Sequence, residues 1–331
     1  MNRQIVLIGR PAAIPGPEHF ELRTGPEPSL PDNGLIAETV ALSVDPAMRG
    51  WVSAEANYLQ PVALGSVMRS LGVARVLKSA DPDWNEGDLF YGWTGWQDRV
   101  AISPEAILWR VDESLAPPSA WLSVLGLNGL TAAKGFAAFA RAKPGETMLV
   151  TTAAGGVGSI VGQLAKRSGM RTVGLTSASK CDLAHDRYGY DIALDYRDVD
   201  LAGALDVSCP QGVDIFWDNV GGEIADLIFP RLAPGGRVIQ CGTASIPSWS
   251  PWPEGPRRER DMVVKRLTWS GFLAFDGDDH ANEAALATLR SLVAAGELNH
   301  DEQCMVGLEQ APAALAALYQ GQNSGRIWVK P

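Results

Sequence analysis

A strand, a glycine-rich turn and an amphipathic helix follow one another over residues 147–166, and a second strand begins at Arg171. Ala153, Gly155 and Gly158 occupy the three glycine positions of the G-x-G-x-x-G pattern that opens dinucleotide-binding βαβ units. A position without a side chain lets the backbone approach a pyrophosphate, and the first amides of the helix attract negative charge. In this strand–turn–helix–strand context, the pattern predicts a dinucleotide-binding turn rather than an ordinary tight turn.

The end of the second strand bears on which dinucleotide binds. Chains that bind NAD usually place an acid about 20 residues past the motif, where it holds the ribose 2′-hydroxyl. Here residues 175–180 carry hydroxyls and one lysine, and no acid appears before Asp182. Lys180 suits a 2′-phosphate, although it could also be a solvated lysine on the first turn of a helix. The missing acid favours NADP(H) as the cofactor.

Composition bounds the class of protein. The 331 residues carry a net charge of −10, which argues against a general nucleic-acid-binding surface. We find no long apolar run and no signal-peptide pattern at the start of the sequence, and we therefore expect a soluble, cytoplasmic protein. The four cysteines are far apart in sequence and form no C-x-x-C pair, so we expect reduced thiols; they are Cys181, Cys209, Cys241 and Cys304.

The pattern of apolar residues changes near residue 120. Before it, short β-like runs alternate with Gly, Pro, Asp and Asn turns; we expect strands at 4–8, 35–43, 67–78, 89–91 and 96–102. After it, strands and helices alternate; we expect strands at 147–152, 171–176, 191–195, 213–218, 236–241 and 267–273, helices near 280–295 and 308–319, and a last strand at 326–330.

This organisation predicts an α/β fold: a doubly wound parallel Rossmann sheet plus a β-rich domain. The predicted boundaries are residues 1–123 plus 300–331 for the β-rich catalytic domain and residues 124–299 for the dinucleotide-binding domain. We expect the two domains to meet at a cleft that faces the carboxyl ends of the parallel strands.

Segments over nearly the whole chain share one family pattern. They are Leu42–Gly50, Leu125–Ala132, Ala153–Lys166, Asp214–Gly222 with its Asp-Asn-Val-Gly-Gly ending, and Asn323–Arg326. Together they resemble the zinc-independent medium-chain dehydrogenases/reductases that reduce activated carbon–carbon double bonds. This is the prostaglandin reductase, plant 2-alkenal reductase and bacterial curcumin reductase group, and the bacterial branch is suggested by Asn57-Tyr58 and Gly92–Asp98. The resemblance implies a GroES-like β-rich domain and a homodimer.

The resemblance also implies roles for residues at matching positions. Those implied to bind NADPH are Ala154, Gly155, Gly156, Val157 and Gly158 at the pyrophosphate, Lys180 and Tyr196 at the adenosine 2′-phosphate, Asn219 at a strand end, and Cys241, Gly242, Thr243, Phe272, Leu273, Ala274 and Asn323 around the nicotinamide and ribose. Other interpretations remain open: Asn219 could cap the next helix, Tyr196 could be an edge-strand aromatic, and Asn323 could be a turn residue.

The chain also departs from the family pattern. Ala47 stands where the family usually has Tyr, and residues 245–248 lack the family's Ser-x-Tyr-Asn and contain Pro247 instead. Residues 249–256 add two tryptophans. We therefore expect a reshaped substrate pocket, and the identity of the substrate does not transfer from any family member.

The chemistry follows from the residues that the chain lacks. No cysteine precedes residue 181, there is no Gly-His-Glu motif, and the four histidines (His19, His185, His280 and His300) show no ligand spacing. Without such a zinc site, we favour hydride addition to a conjugated double bond over alcohol oxidation. Negative charge then develops on the substrate's carbonyl oxygen, where a hydroxyl can stabilise it. Tyr58 is the catalytic candidate; the cofactor's ribose 2′-hydroxyl could share that role, and Tyr58 could also only pack against substrate.

Three functions remain in competition. The favoured one is an NADPH-dependent alkenal/enone reductase acting on a small-molecule α,β-unsaturated carbonyl compound. The second is an NADPH-dependent quinone oxidoreductase on the same fold. The third is a non-catalytic NADPH-binding protein, to which Ala47 and Pro247 give some weight.

Overall fold

The computed structural model describes residues 1–55, 58–246, 251–276, 279–321, 323 and 325–331. Asn57, Pro247 and Ser324, which belong to segments discussed above, lie outside the described residues. The strands are β1 (Asn2–Leu7), β2 (Phe20–Gly25), β3 (Leu35–Ser43), β4 (Leu71–Ser79), β5 (Leu89–Trp93), β6 (Arg99–Ile102), β7 (Ile107–Arg110), β8 (Thr147–Thr151), β9 (Arg171–Thr176), β10 (Ile192–Asp195), β11 (Val213–Asp218), β12 (Leu232–Gln240), β13 (Thr268–Gly271), β14 (Glu302–Val306) and β15 (Arg326–Lys330).

Most of the α-helices have ten residues or fewer, and several continue from or into a tighter or wider helical turn. They are α1 (Met48–Val52), α2 (Leu127–Gly135), α3 (Gly158–Arg167), α4 (Leu201–Ser208), α5 (Gly222–Ile228), α6 (Glu259–Lys265), α7 (Asp279–Ala294) and α8 (Ala311–Tyr319). Within the described ranges, none of the helices combines the length and the apolar character that a membrane span would require.

The chain divides into two compact units, of which the first is Met1–Gly126 with Asp301–Pro331. Its main sheet has the strand order β14-β15-β3-β4-β5-β7, with β6 also paired to β3, and β1 pairs separately with β2. Apart from the parallel pair β14–β15, the strand pairs of this unit are antiparallel. Its core includes the buried side chains of Trp51 and Trp96.

A buried ion pair fixes the last strand of this unit to the segment that follows β3. Arg326 Nη1 lies 2.8 Å from Asp45 Oδ1, and both residues are buried. Ser43 Oγ donates to Asp45 Oδ2 at 2.5 Å and also accepts from Arg326. A buried charge left without its partner costs several kcal/mol. Segments 42–50 and 323–326, which both carry the family resemblance, therefore depend on each other through this ion pair.

The second unit, Leu127–His300, contains the predicted parallel sheet. Its strand order is β10-β9-β8-β11-β12-β13, and every neighbouring pair is parallel. β9 and β11 have the predicted bounds. The predicted α/β class, which combines a doubly wound parallel sheet with a β-rich domain, is confirmed.

Some predicted elements differ from the structure. β2, β7, β14 and α1 had no predicted counterpart, and β4 begins at Leu71 rather than at residue 67. Val67 instead forms an isolated antiparallel bridge with Val6 of β1, so it pairs with a residue outside the main sheet. β2 is mostly exposed and pairs with β1, and for this reason its sequence shows little apolar alternation.

Candidate cofactor and active site

The glycine-rich turn has the geometry that the sequence predicts. After β8, Thr152 adopts a left-handed backbone conformation (φ 54°), which is unusual for a residue with a branched side chain. Its carbonyl oxygen accepts a hydrogen bond from the Gly155 amide at 2.8 Å. A Cβ atom on Gly158 would lie 2.2 Å from that same oxygen. α3 can therefore begin this close to the strand only because Gly158 has no side chain.

The start of α3 presents unpaired donors, which makes it suited to an anion. Val157 is the N-cap residue, and its apolar side chain caps nothing. Within the described part of the chain, the amides of Gly156 and Val157 have no hydrogen-bond acceptor. Because the first amides of a helix and its dipole attract negative charge, this turn fits the pyrophosphate of a dinucleotide.

Two residues that the sequence analysis missed support this turn. Tyr190 is buried, its hydroxyl donates to the Gly158 carbonyl at 2.6 Å, and its ring fills space that a side chain on Gly162 would occupy. Asn128 packs against Gly156: its Nδ2 would be 2.5 Å from a Cβ on that glycine. The Oδ1 of Asn128 is buried and has no hydrogen-bond partner among the described residues. In the sequence, only the glycines indicated that such residues exist, because another side chain must fill the space beside a buried glycine.

All but one of the predicted cofactor-binding residues follow the parallel strands of one sheet. They are Ala154, Gly155, Gly156, Val157 and Gly158 after β8, Lys180 after β9, Tyr196 after β10, Asn219 after β11, Cys241, Gly242 and Thr243 after β12, and Phe272, Leu273 and Ala274 after β13. Since these strands are parallel and adjacent in the sheet, their carboxyl ends lie along one edge. Ligands of open α/β sheets bind at that edge.

Asn219 links two central strands through its side chain. Its Nδ2 donates to the Thr151 carbonyl at 2.7 Å, and its Oδ1 accepts from Trp217 Nε1 at 3.2 Å. The alternative that Asn219 caps the next helix is wrong, because Gly221 holds the N-cap position of α5. Asn219 therefore fixes the backbone at the ends of β8 and β11.

Asp218 ties this loop to the next one. Its carboxylate accepts from the amides of Val220 and Gly221 at 2.8 and 2.9 Å, and its carbonyl accepts from the amides of Cys241 and Gly242 at 2.8 and 3.1 Å. Burial raises the pKa of Asp218, and the hydrogen bonds to the carboxylate act in the opposite direction. Burial also raises the pKa of the Cys241 thiol to about 12, so this thiol stays neutral.

Two cations lie where the 2′-phosphate is predicted. Lys180 ends a short helical turn after β9, and the amide of Tyr196 donates to the Thr176 carbonyl at 2.9 Å. Arg197, which the sequence analysis missed, places its guanidinium carbon 5.1 Å from the Tyr196 ring centroid. Burial and, secondarily, the charge of Arg197 lower the pKa of Lys180. An anion placed near both cations would relieve their mutual repulsion.

The segment after β13 is held by a lysine from α2. Lys134 Nζ donates to the Ala274 carbonyl at 2.6 Å and to Asn282 Oδ1 at 2.7 Å, and it also contacts the carbonyl of Asp276. Phe272 packs against Trp217, with ring centroids 5.9 Å apart. Lys134 therefore fixes the loop that carries the predicted nicotinamide contacts Phe272, Leu273 and Ala274.

Asn323, the remaining predicted cofactor residue, belongs to the other compact unit. It is buried, and its Nδ2 donates to the Gly325 carbonyl at 2.7 Å. This hydrogen bond fits the alternative of a turn residue, and its contact with a cofactor stays a prediction.

Tyr58, the predicted catalytic residue, lies in the same unit as Asn323 and has a half-exposed side chain (49%). Its hydroxyl oxygen accepts a hydrogen bond from Trp51 Nε1 at 3.2 Å. Partial burial and the charge of Asp45 raise its pKa, while the hydrogen bond from Trp51 and the charge of Arg69 act against that shift. The phenol therefore stays protonated near neutral pH and can donate a hydrogen bond.

The described residues contain no group of three or more His, Cys, Asp or Glu side chains placed to hold a metal ion.

Comparisons with known proteins cover nearly the whole chain. Residues 3–111 match the family model described as the N-terminal domain of oxidoreductase, and residues 188–329 match the model described as zinc-binding dehydrogenase. The chain is 35% identical to the NADPH-dependent curcumin reductase of Escherichia coli (strain K12), over 99% of this chain and 96% of that protein. It is 34% identical to the NADP(+)-dependent 2-alkenal reductase of Nicotiana tabacum, over 98% and 96% of the two chains.

A solved structure also matches this chain over nearly its full length. The crystal structure of CurA from Vibrio vulnificus in complex with NADPH is 35% identical in sequence and superposes with a TM-score of 0.93, over 99% of this chain and 98% of that one.

Proposed function

Because the chain belongs to the zinc-independent medium-chain dehydrogenases/reductases, we propose that it reduces the activated C=C bond of α,β-unsaturated aldehydes and ketones with NADPH. The chain is an NADPH-dependent oxidoreductase, like its full-length relatives. The activities named for the full-length relatives, curcumin reductase and 2-alkenal reductase, support the choice of a C=C bond. The structural observation that supports NADPH as the hydride source is the sheet edge. There a glycine turn with unpaired amides, two cations and an anchored aromatic loop follow parallel strands of one sheet.

The residues present fit NADPH. In this proposal, the amides of Gly156 and Val157 hold the pyrophosphate, and Lys180, Tyr196 and Arg197 hold the 2′-phosphate. When bound, NADPH supplies the hydride that adds to the β-carbon of the substrate. The loops anchored by Asp218 and Lys134 would keep the nicotinamide end of the site in one arrangement.

Tyr58 would act at the other end of the conjugated system. Its phenol donates a hydrogen bond to the substrate's carbonyl oxygen, where negative charge develops as the β-carbon gains hydride. The enolate then takes a proton at its α-carbon, so the product is the saturated aldehyde or ketone. Because this charge is stabilised by a hydroxyl, we further propose that the reaction needs no zinc, in keeping with the missing ligand motifs.

We propose in addition that the enzyme is a cytoplasmic homodimer. β13 is an edge strand of the parallel sheet among the described residues, and it exposes Trp269 (45%). The neighbouring α6 exposes Val263 and Val264. An exposed apolar edge strand is a template for pairing with another chain, and a second copy of this chain would cover it.

A panel of oxidants tests the proposed function. NADPH consumption would be followed with cinnamaldehyde (an enal), benzylideneacetone (an enone) and menadione (a quinone). We expect the largest kcat/KM for the enal or the enone. A larger value for menadione would favour the quinone oxidoreductase alternative, and no consumption with any of the three would favour a non-catalytic NADPH-binding protein.

A further inference from the structure

A buried indole faces the hydroxyl of Tyr58. Trp51 lies in α1, its side chain is 2% exposed, and its Nε1 is 3.2 Å from Tyr58 Oη. An indole N–H can only donate, so the tyrosine oxygen is the acceptor of this hydrogen bond. The phenolic proton must therefore point to a different acceptor, and among the described residues no acceptor takes it.

The position of this indole is set by the fold rather than by Tyr58. Trp51 belongs to the buried core cluster of its unit. Its ring packs against Trp93 at a centroid distance of 5.7 Å, and the guanidinium carbon of Arg69 lies 6.0 Å from its ring centroid. Tyr58, in contrast, is half-exposed and lies outside the regular elements. The rigid partner in the pair is therefore Trp51.

We infer that Trp51 is a positioning residue for the proposed reduction: its indole N–H holds the Tyr58 hydroxyl so that the phenolic proton is directed at the substrate's carbonyl oxygen. This inference rests on the proposed function, since it requires that Tyr58 assists the reduction. Trp51 acts through Tyr58 and needs no contact with substrate. A hydroxyl that accepts one hydrogen bond is polarised, and it becomes a better donor in the next one.

The same hydrogen bond has a consequence that does not depend on turnover. The indole N–H stabilises negative charge on the tyrosine oxygen and lowers the pKa of Tyr58 against the upward effect of burial. Replacing Trp51 by Phe removes this donor and keeps an aromatic ring. The pKa of the Tyr58 phenol should then rise.

A double-mutant cycle tests the coupling between the two residues. The rate of benzylideneacetone reduction at saturating NADPH would be measured for the wild type, Trp51→Phe, Tyr58→Phe and the double variant. We expect Trp51→Phe alone to lower kcat about three- to tenfold, the scale of one hydrogen bond. In the Tyr58→Phe background, the same substitution should change kcat by less than about twofold, as expected when the pair acts as one unit.

Trp109→Phe is the matched control. This indole lies in β7 of the same unit, and its buried Nε1 has no hydrogen-bond partner among the described residues. We expect its kcat to stay near that of the wild type. An equal loss of kcat from Trp51→Phe in both tyrosine backgrounds would overturn the inference while leaving the proposed function intact. Absence of enone reduction in the wild type, or full activity of Tyr58→Phe, would overturn the role of Tyr58 and the inference together.

A titration gives the second readout and still applies if the Trp51→Phe enzyme folds but turns over too slowly. Tyrosines labelled with carbon-13 at Cζ would be titrated by NMR, and the Tyr58→Phe spectrum identifies the Tyr58 signal among the six tyrosines. We expect a higher Tyr58 pKa in Trp51→Phe than in the wild type and in Trp109→Phe. An unchanged or lower pKa would show that the indole does not hold the hydroxyl, and it would overturn the inference. If Trp51→Phe does not fold, indole nitrogens labelled with nitrogen-15 give the readout in proteins that keep Trp51: one indole N–H signal should shift as Tyr58 titrates in the wild type and should not shift over that pH range in Tyr58→Phe. The absence of such a signal in the wild type would overturn the inference.

Discussion

Tyr58 could donate a hydrogen bond to the substrate, which requires its hydroxyl, or only pack against it, which requires its ring. Tyr58→Phe keeps the ring and removes only the donor. If the phenol stabilises the enolate, kcat for an enone should fall by about a hundredfold or less, because the loss of one oxyanion donor costs about 10²–10³ and the cofactor's ribose hydroxyl can share the work. The NADPH dissociation constant should change little. An unchanged kcat, under conditions where hydride transfer limits the rate, would reduce Tyr58 to a packing residue.

We expect cationic residues at the edge of the sheet to decide cofactor preference. We expect the wild type to prefer NADPH strongly over NADH, since the charge of Arg197 acts on Lys180, Arg197 lies over the Tyr196 ring, and no acid follows β9 before Asp182. Lys180→Ala should remove about 1.5–3 kcal/mol of that preference, the scale of a hydrogen bond to a charged group. The measurement is kcat/KM with each cofactor.

Two further variants complete that measurement. Arg197→Ala should also lower the preference for NADPH, since it removes the second cation near the same phosphate. Lys78→Ala, at the exposed end of β4 in the other unit, should leave the preference unchanged. Equal kcat/KM for NADPH and NADH in the wild type would contradict the assignment of the 2′-phosphate site.

The junction between β8 and α3 depends on one missing side chain. A Cβ on residue 158 would lie 2.2 Å from the Thr152 carbonyl oxygen, and backbone cannot move aside as a flexible side chain can. We expect Gly158→Ala to lower the free energy of unfolding by about 1–3 kcal/mol, the usual cost of overpacking. Denaturant unfolding measures this change. Gly255→Ala, where a Cβ meets nothing closer than 3.9 Å, should cost much less, and equal costs would contradict the steric argument.

The exposed edge strand β13 provides the test of the homodimer. Trp269→Glu places a charge on that edge and should convert a dimer into a monomer, as measured by light scattering in solution. Val199→Glu, at a fully exposed valine in the same unit, introduces the same charge elsewhere and should leave the mass unchanged. A wild type that is already monomeric would contradict the proposed assembly, and an unchanged dimer in Trp269→Glu would place its interface elsewhere.

The sequence predicts a strand of this fold well where buried apolar side chains recur along the segment. The strands Leu35–Ser43, Arg171–Thr176, Val213–Asp218 and Arg326–Lys330 have the bounds expected from their apolar runs. The strand Phe20–Gly25 was missed because only its first residue is buried. The short strand Ile107–Arg110 was missed because its side chains are only partly buried.

The candidate site also contains residues that the sequence reveals and residues that it does not. The glycine turn, Lys180 and the Asp-Asn-Val-Gly-Gly segment are contiguous patterns that a sequence displays. The residues that hold them come from distant positions: Tyr190 lies under the turn, Lys134 clamps the loop after β13, and Trp51 contacts Tyr58. No local pattern marks such residues, since their role exists only once the chain has folded.

We propose that the two units of the chain together carry out one reaction, the transfer of hydride from NADPH to the β-carbon of an enone. The most direct test is the product formed from benzylideneacetone and NADPH that carries deuterium at the transferable position, with excess chelator present. We expect the saturated ketone, with its carbonyl intact and one deuterium on the former β-carbon, at an undiminished rate. The allylic alcohol, deuterium at any other carbon, or loss of turnover on chelation would contradict it.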